Sequence, residues 1–455
     1  MAEVELALAR RRAGARTPAW PLIGSLVPLF NDPLGFFDLA AASQGDVARF
    51  RLGPLRAVLL THPELVREVL LTQQHHFRKS GAGRWVKSFL GEGLFTSDGE
   101  LHTRQRRLCQ PALHRQNVDR YAPLMAAFAQ RTAASWHDGQ EIDLTSEMMR
   151  LTLSVVGQAL FGADVEPDAP VIAESLAAIL ALFYRFTTPI TAAYARLPLP
   201  RHVAFRRACR RLDAIIYRII DERRRDGRDR GDLLSTLLAA RDADGAMDDR
   251  QVRDEVMTLI LAGHETSAAA LSWAFLLLSH NPEAEARLFA ELDGVLDGRP
   301  PRLEDVARLP YAQWVFAETL RLYPPLWVYG RRALRDVDLL GRVRLRAGTL
   351  ALVSPYVTQR DPRFFDDPLA FRPERFAPEA AAARPRFCYF PFSAGARQCL
   401  GEPFAWLEAV LVIATLAQRF RLRGDGRTID PLPLATLRPK QAVRLRVERR
   451  APARA

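Results

Sequence analysis

"FSAGARQCLG" (residues 392–401) is the stretch on which the reading of this chain turns. Gly395 and Gly401 bracket Cys399, and Arg397 stands two residues before it. Glycines allow turn geometries that other residues resist. The next run, "EPFAWLEAVLVIATLAQRF", is strongly apolar and reads as a helix. Cys399 therefore falls at or just before a helix N-terminus, where the dipole and the free amide groups favour thiolate. Such a thiolate can attack a substrate or bind a metal, and a cysteine can also be an inert buried hydrophobe. A nucleophile wants a partner base, and no histidine lies near Cys399 in sequence. A haem wants one thiolate, a flat wall and basic groups for two propionates, and the sequence supplies all three.

The rest of the chain narrows the setting. Its 455 residues are enough for a large core. The four cysteines, at 109, 209, 388 and 399, form no CxxC pair and no scaffold spacing, which suits a reducing compartment and argues against structural zinc. The formal charge is +12. Arginines number 61 and lysines three, with short basic clusters at 10–12, 206–211 and 222–230. No nucleic-acid motif accompanies them, so the expectation is no nucleic-acid partner and a solvated basic surface suited to an acidic protein. "WPLIGSLVPLF" (20–30) is too short to span a bilayer, and Pro21 and Pro28 break it. "VMTLILAGHETSAAALSWAFLLL" (256–278) is long enough, but His264, Glu265 and Thr266 at its centre make it a buried helix of a soluble protein rather than a membrane span.

The pattern predicts a basic leader over 1–19 followed by a mostly helical domain. Residues 46–62 read as a hairpin around Gly53-Pro54. Helices are expected at 100–110, 118–136, 143–161, 169–184, 203–225, 248–279 and 304–322, the 248–279 helix capped by Asp248 or Asp249 and ended by Asn281-Pro282. At 1.5 Å per residue it spans roughly 45 Å, enough to cross a whole domain. Short strands are expected over 337–354, coil over 360–391 and a closing hairpin over 433–448. The fold class is mainly α with small β-sheets (α+β).

Three more constellations stand out. "AGHETS" puts Gly263 and Glu265 in the middle of a core helix, where both are costly. Thr266 can donate to the carbonyl four residues back, at Ala262. An acid beside an alcohol on a locally loosened helix suggests a proton relay into a cavity; a packing glycine with a satisfied Glu265 is the plainer alternative. Glu318 and Arg321 in "ETLRLYPP" lie three apart on one helix face, which alone is an ordinary surface pair, although Arg375 of "FRPERF" could complete a buried network. His102 and Arg106 share a face of the helix in "GELHTRQRRLCQPAL", which can hold an anionic group or be a solvated basic face.

Together these elements resemble the cytochrome P450 family from about residue 20 to 447. Phe392, Gly395, Arg397, Cys399 and Gly401 complete its F-x-x-G-x-R-x-C-x-G signature, and Ala405 and Glu408 continue it. "AGHET" resembles the oxygen-activating segment, and Glu318, Arg321 and Arg375 its ExxR set. The resemblance implies heme b (iron protoporphyrin IX), with Cys399 as axial thiolate, and Phe392 and Gly401 shaping the loop. Arg397, Arg331, His102 and Arg106 then hold the propionates, position 102 being Trp in many members and His in many bacterial ones. Glu265 and Thr266 become the pair that delivers protons to bound dioxygen. The implied reaction inserts one oxygen atom from O2 into a C–H bond or across an alkene. Electrons come from NAD(P)H through a separate ferredoxin and ferredoxin reductase, docking near Arg107, Arg115, Arg384 and Arg386. "GEGLFTSDGE" resembles the family's loop over the haem, so Phe95, with Val86, Phe89, Leu90, Ala262, Leu326, Trp327 and Val328, is expected to line a pocket for an apolar small-molecule substrate: fatty acid, terpene, carotenoid or polyketide. The implied protein is a soluble bacterial-type cytoplasmic monomer with a single catalytic domain over 20–455 and a mobile lid over 178–205. A haem-thiolate sensor or carrier would keep Cys399 without needing Glu265 and Thr266, and a cysteine hydrolase would need a histidine base and no haem.

Overall fold

The computed structural model describes residues 19–80, 84–162, 167–183, 200–242 and 245–450. Nearly all of the leader and residues 184–199 of the expected lid lie outside them. The chain forms two compact units.

The first is drawn from within Met1–Gly81, with Leu320–Phe371 and Arg375–Cys399. Its frame is a five-stranded sheet in the order Val47–Leu52, Leu55–Leu60, Leu350–Val353, Tyr329–Ala333, Phe77–Lys79. Gly53, at φ 60°, opens the two-residue turn that pairs Leu52 with Leu55, as the sequence predicts. Leu350–Val353 runs parallel to Leu55–Leu60 and is buried at every position, as a central strand should be. Tyr329–Ala333, absent from the sequence reading because Gly330 and two arginines look like a loop, pairs antiparallel with it, Arg331 opposite Ala351. Aliphatic residues fill one face of the sheet, from Val58, Leu60 and Val69 to Ala351 and Val353. Phe36, Phe37 and Phe50 pack on the other.

The second unit, Ala82–Thr319, Arg372–Glu374 and Leu400–Ala455, is mainly helical. Six helices carry or brace the candidate site residues: α1 (Gly99–Cys109), α2 (Leu144–Phe161), α3 (Pro200–Asp226), α4 (Asp249–His280), α5 (Pro310–Leu322) and α6 (Glu402–Ala417). Asp248 caps α4 through the Gln251 N–H, as its sequence position indicates, and α4 is the longest helix at 32 residues. It packs on α2, α3 and α6. A single helix over 304–322 is not formed: Leu303–Val306 is separate, and α5 starts at Pro310, which has no N–H to donate and suits a first turn. The tail is not one hairpin either. Pro431–Pro433 pairs with Leu437–Pro439, whereas Arg444–Arg449 pairs with Phe420–Arg423 and Glu141–Asp143. Among the described residues no helix is long and apolar enough to cross a membrane.

Candidate active site

In the first unit the 392–399 loop is built to present its cysteine. Ser393 and Gly395 both have left-handed backbone, φ 63° and 70°. A Cβ on Gly395 would stand 2.3 Å from the Leu70 carbonyl oxygen and 2.4 Å from Gln74 Oε1, so that position admits only glycine. The space is used: Gln74 Oε1 accepts from Ala396 N–H at 2.6 Å. Gln398 N–H donates to Gly395 O, and Cys399 N–H to Phe392 O, each at 3.0 Å. Upstream, Tyr329 Oη donates to Pro391 O at 2.6 Å and Gln359 Oε1 accepts from Phe390 N–H at 3.0 Å. The loop is thus pinned at both ends, and Cys399 is exposed at its tip, while Cys109 and Cys388 are buried. Arg397 lies half-buried on the same loop. Arg331 faces the buried side of its strand at 8% exposure and donates to Gly330 O at 3.1 Å. Arg321 is wholly buried and binds the carbonyls of Gln359, Pro368 and Ala370 at 2.7–3.1 Å. Arg375 donates to Asp367 O at 2.6 Å. Leu326, Trp327 and Val328 are half-buried, and the Trp327 ring meets Phe37 at 5.7 Å.

In the second unit, α4 carries the acid and the alcohol. Thr266 Oγ1 donates to Ala262 O at 2.6 Å, as its sequence position implies. Thr266 is half-buried and Ala262 exposed, so this stripe of the helix is open while its other faces are packed. Gly263 has a packing reason as well: a Cβ there would come within 2.9 Å of Val156 Cγ2 on α2. Glu265 is buried, and its Oε1 accepts from Thr436 Oγ1 at 2.8 Å. Burial raises its pKa, and the Thr436 hydrogen bond and the Arg438 charge oppose that rise. Thr436 is the group the sequence reading missed: it sits in the turn 171 residues away and belongs to no motif. His264 is fully buried, and burial drops its pKa to about 4. Glu408 on α6 is also fully buried. Burial pushes its pKa up to about 8 against a smaller pull from Ser267, and neither carboxyl oxygen has a hydrogen bond of normal geometry. Glu318 Oε1 accepts from Arg372 N–H at 2.9 Å in the core.

On α1, His102 is buried and Arg106, one turn on, is half-buried. Beside them a groove of about 450 Å³ is lined by Thr103, Arg106, Arg107, Gln110, Pro111 and His114. Arg107 pairs with Asp242 at 2.8 Å. Phe89 and Leu90 are wholly enclosed, Phe89 edge-on to Phe205 at 6.2 Å, and Val86 is nearly so. Phe95 is 45% exposed.

Each unit presents part of a donor set of the kind that holds a haem. One has an exposed thiol on a glycine-bent loop, with Arg397 on the loop and Arg331 on the inward face of its strand. The other has a His–Arg pair at one-turn spacing and an acid–alcohol pair on a helix. Among the described residues no cluster of three or more His, Cys, Asp or Glu could hold a metal ion without such a group.

Comparisons with known proteins agree. The family profile described as Cytochrome P450 matches residues 15–446. Cyclooctatin synthase of Streptomyces melanosporofaciens is 41% identical, over 93% of this chain and 92% of its own length. Pentalenene oxygenase of Streptomyces avermitilis is 38% identical, over 97% and 98%. Cyclooctat-9-en-7-ol 5-monooxygenase of S. melanosporofaciens is 39% identical, over 92% and 89%. Among solved structures, the heme domain of cytochrome P450DA superposes with a TM-score of 0.86 at 26% identity, covering 96% of this chain and 97% of that one.

Proposed function

The chain belongs to the cytochrome P450 family, and from that premise we propose that it hydroxylates or epoxidises a cyclic terpenoid. The monooxygenase reading rests on one observation above the others: the complete cysteine loop, shaped by Gly395, with Cys399 exposed at its tip. The substrate class rests on the three Streptomyces relatives, named for cyclooctatin, pentalenene and cyclooctat-9-en-7-ol.

In the first unit Cys399 would ligate the haem iron and Arg397 and Arg331 would neutralise propionate charge; in the second, His102 and Arg106 are the groups that would do the same. Bound there, haem supplies the centre at which O2 is bound and reduced. The protein's part is to bring protons and exclude water. The Thr266 hydroxyl donates to Ala262 O, which orients its oxygen so that its lone pairs can accept from a water. Glu265, with its pKa raised by burial, is the buried acid that would supply a proton to such a water. Phe95 and Ala262 are the exposed apolar groups that meet the substrate in the second unit. Electrons arrive from NAD(P)H through a ferredoxin and its reductase. Arg115 and Arg386 are exposed cations that suit an acidic partner, whereas Arg384 is stacked on Phe365 and Phe376 and bonded to Arg375 O. The protein acts as a cytoplasmic monomer.

The test has two stages. Purified protein is reduced and exposed to CO; a red-shifted, thiolate-type Soret band is expected, and its absence overturns the reading. Pentalenene and cyclooctat-9-en-7-ol are then incubated with NADPH, a ferredoxin and its reductase. Oxygenated product from either supports the terpenoid class. Turnover of a fatty acid such as dodecanoic acid, with neither terpenoid oxidised, overturns it.

A further inference from the structure

The mechanism leaves unused three consecutive charged residues near the start of α4, Arg253, Asp254 and Glu255, all buried, with Glu255 at 0% exposure. Charges are rarely buried without a partner. Two of these partners lie on the loop over 91–97. Asp254 Oδ2 accepts from Glu92 N–H, and Glu255 Oε2 from Leu94 N–H, each at 2.8 Å. Such charge-assisted bonds to backbone are among the stronger ones a protein makes.

The loop lies directly on the helix. A Cβ on Gly91 would stand 2.0 Å from the Asp254 carboxylate, and one on Gly93 would stand 2.4 Å from Thr258 Oγ1 and 2.5 Å from the Asp254 carbonyl oxygen. Thr96 folds back to donate to Gly91 O at 2.7 Å, and Gln105 Nε2 on α1 donates to Glu92 O at 2.5 Å. Phe95 is held between two pinned neighbours, yet is itself 45% exposed. A large ring on so constrained a backbone is a fixed wall, not a mobile flap. The clamp has a second anchor: Arg253 Nη1 donates to Asp254 Oδ1 at 2.9 Å, and its Nε to Asp213 Oδ1 on α3 at 2.8 Å.

We propose that Asp254 and Glu255 are specificity-determining positioning residues. They fix the 91–97 loop on α4 and so set where Phe95 meets the substrate, while Arg253 ties the clamp to α3. The proposal rests on the monooxygenase reading above.

The test uses the haem-loaded protein. Hydrogen exchange of the peptide covering 91–97 is compared in wild type, Glu255→Leu and Glu255→Gln. Loss of the acceptor in Glu255→Leu should speed exchange about tenfold. Glu255→Gln keeps an acceptor and should speed it much less. Spectral titrations with imidazole and 4-phenylimidazole read the specificity. Glu255→Leu should weaken 4-phenylimidazole severalfold and leave the smaller imidazole unchanged. Unchanged exchange in the folded variant overturns the clamp. Faster exchange with an unchanged ratio of the two affinities overturns the specificity role. If Glu255→Leu does not fold, Asp213→Asn, whose carboxylate is one-third exposed, carries the same measurements: a smaller rise in exchange with the same shift in ratio supports the proposal, and no change overturns it. A chain that takes up no haem gives no spectral titration, and the exchange data on that chain still report the clamp, so the two readings fail separately.

Discussion

Glu265 and Glu408 are both buried carboxyls in the same unit, and their partners separate their roles. Glu265 has Thr436, whose hydrogen bond opposes the rise that burial imposes on its pKa. Thr436→Val removes that restraint. It should lower product formed per NADPH consumed, with Thr436→Ser restoring most of it; equal coupling in all three proteins would show that Thr436 does not tune the acid. Glu408 has no comparable partner, and its pKa of about 8 keeps it largely neutral at pH 7. A folded-state pKa above the unfolded one stabilises fully below the unfolded value and loses that contribution as pH rises through the folded one. The window for Glu408 therefore runs from about 4.5 to about 8. At 1.36 kcal/mol per unit, its cost at pH 7 relative to acid is on the order of 3 kcal/mol. Glu408→Gln should raise Tm near pH 8 and flatten Tm across this window. A parallel decline in both proteins would refute the assignment. The cysteine, the threonine and the acid were legible in the sequence because each sits inside a contiguous pattern. Thr436 and the clamp acids were not, since their partners come from distant segments brought together only by folding.

At the scale of elements, the contact between α2 and α4 positions Glu265 and Thr266, the residues of the proposed relay. Gly263 lets the helices approach, and Thr152 Oγ1 on α2 donates to His264 O at 3.1 Å. Gly263→Ala gains about 1 kcal/mol of helix propensity. It also drives a methyl against the stiff, branched Val156, and overpacking of that kind costs about 1–3 kcal/mol. The single variant should be less stable than wild type, and Gly263→Ala with Val156→Ala more stable than the single. Additive losses in urea unfolding would remove the steric account. His264 lies in the same contact, neutral at neutral pH, with its Nδ1 lacking a hydrogen bond. Its folded pKa is depressed, so it favours folding above about 6.5, and that contribution is lost as pH falls through about 4. Acid unfolding should be steep in this window, and shallower in His264→Gln. Helix α4 was readable end to end because its cap, apolar middle and Asn281-Pro282 stop are local signals. The strand Tyr329–Ala333 was not, because only its pairing partners turn a Gly–Arg–Arg run into sheet.

For the whole molecule, the excess of positive charge is the property that sequence displays most openly and the one whose use is least local. Some of the 61 arginines are held by groups of the protein itself. Arg223 is buried on Asp232, Arg321 on three carbonyls, and Arg107 is held by Asp242. Each Arg–Asp pair cancels one charge of either sign and leaves the net of +12 unchanged, so what matters to a partner is which cations are open to it, and Arg115 and Arg386 are exposed. Long-range steering by such groups acts on the association rate and is screened over about 8–10 Å at physiological salt. Reduction by an acidic ferredoxin should thus slow steeply as ionic strength rises. Arg115→Ala and Arg386→Ala should each lower the low-salt association rate severalfold and flatten its salt dependence, while leaving the rate at high salt nearly unchanged. Substituting Arg321 instead would remove a buried guanidinium from three carbonyls, and its effect should appear in folding and haem retention at every salt concentration. Stopped-flow reduction across a salt series separates the two outcomes, and equal slopes in wild type and the surface variants would place electron entry elsewhere on the molecule.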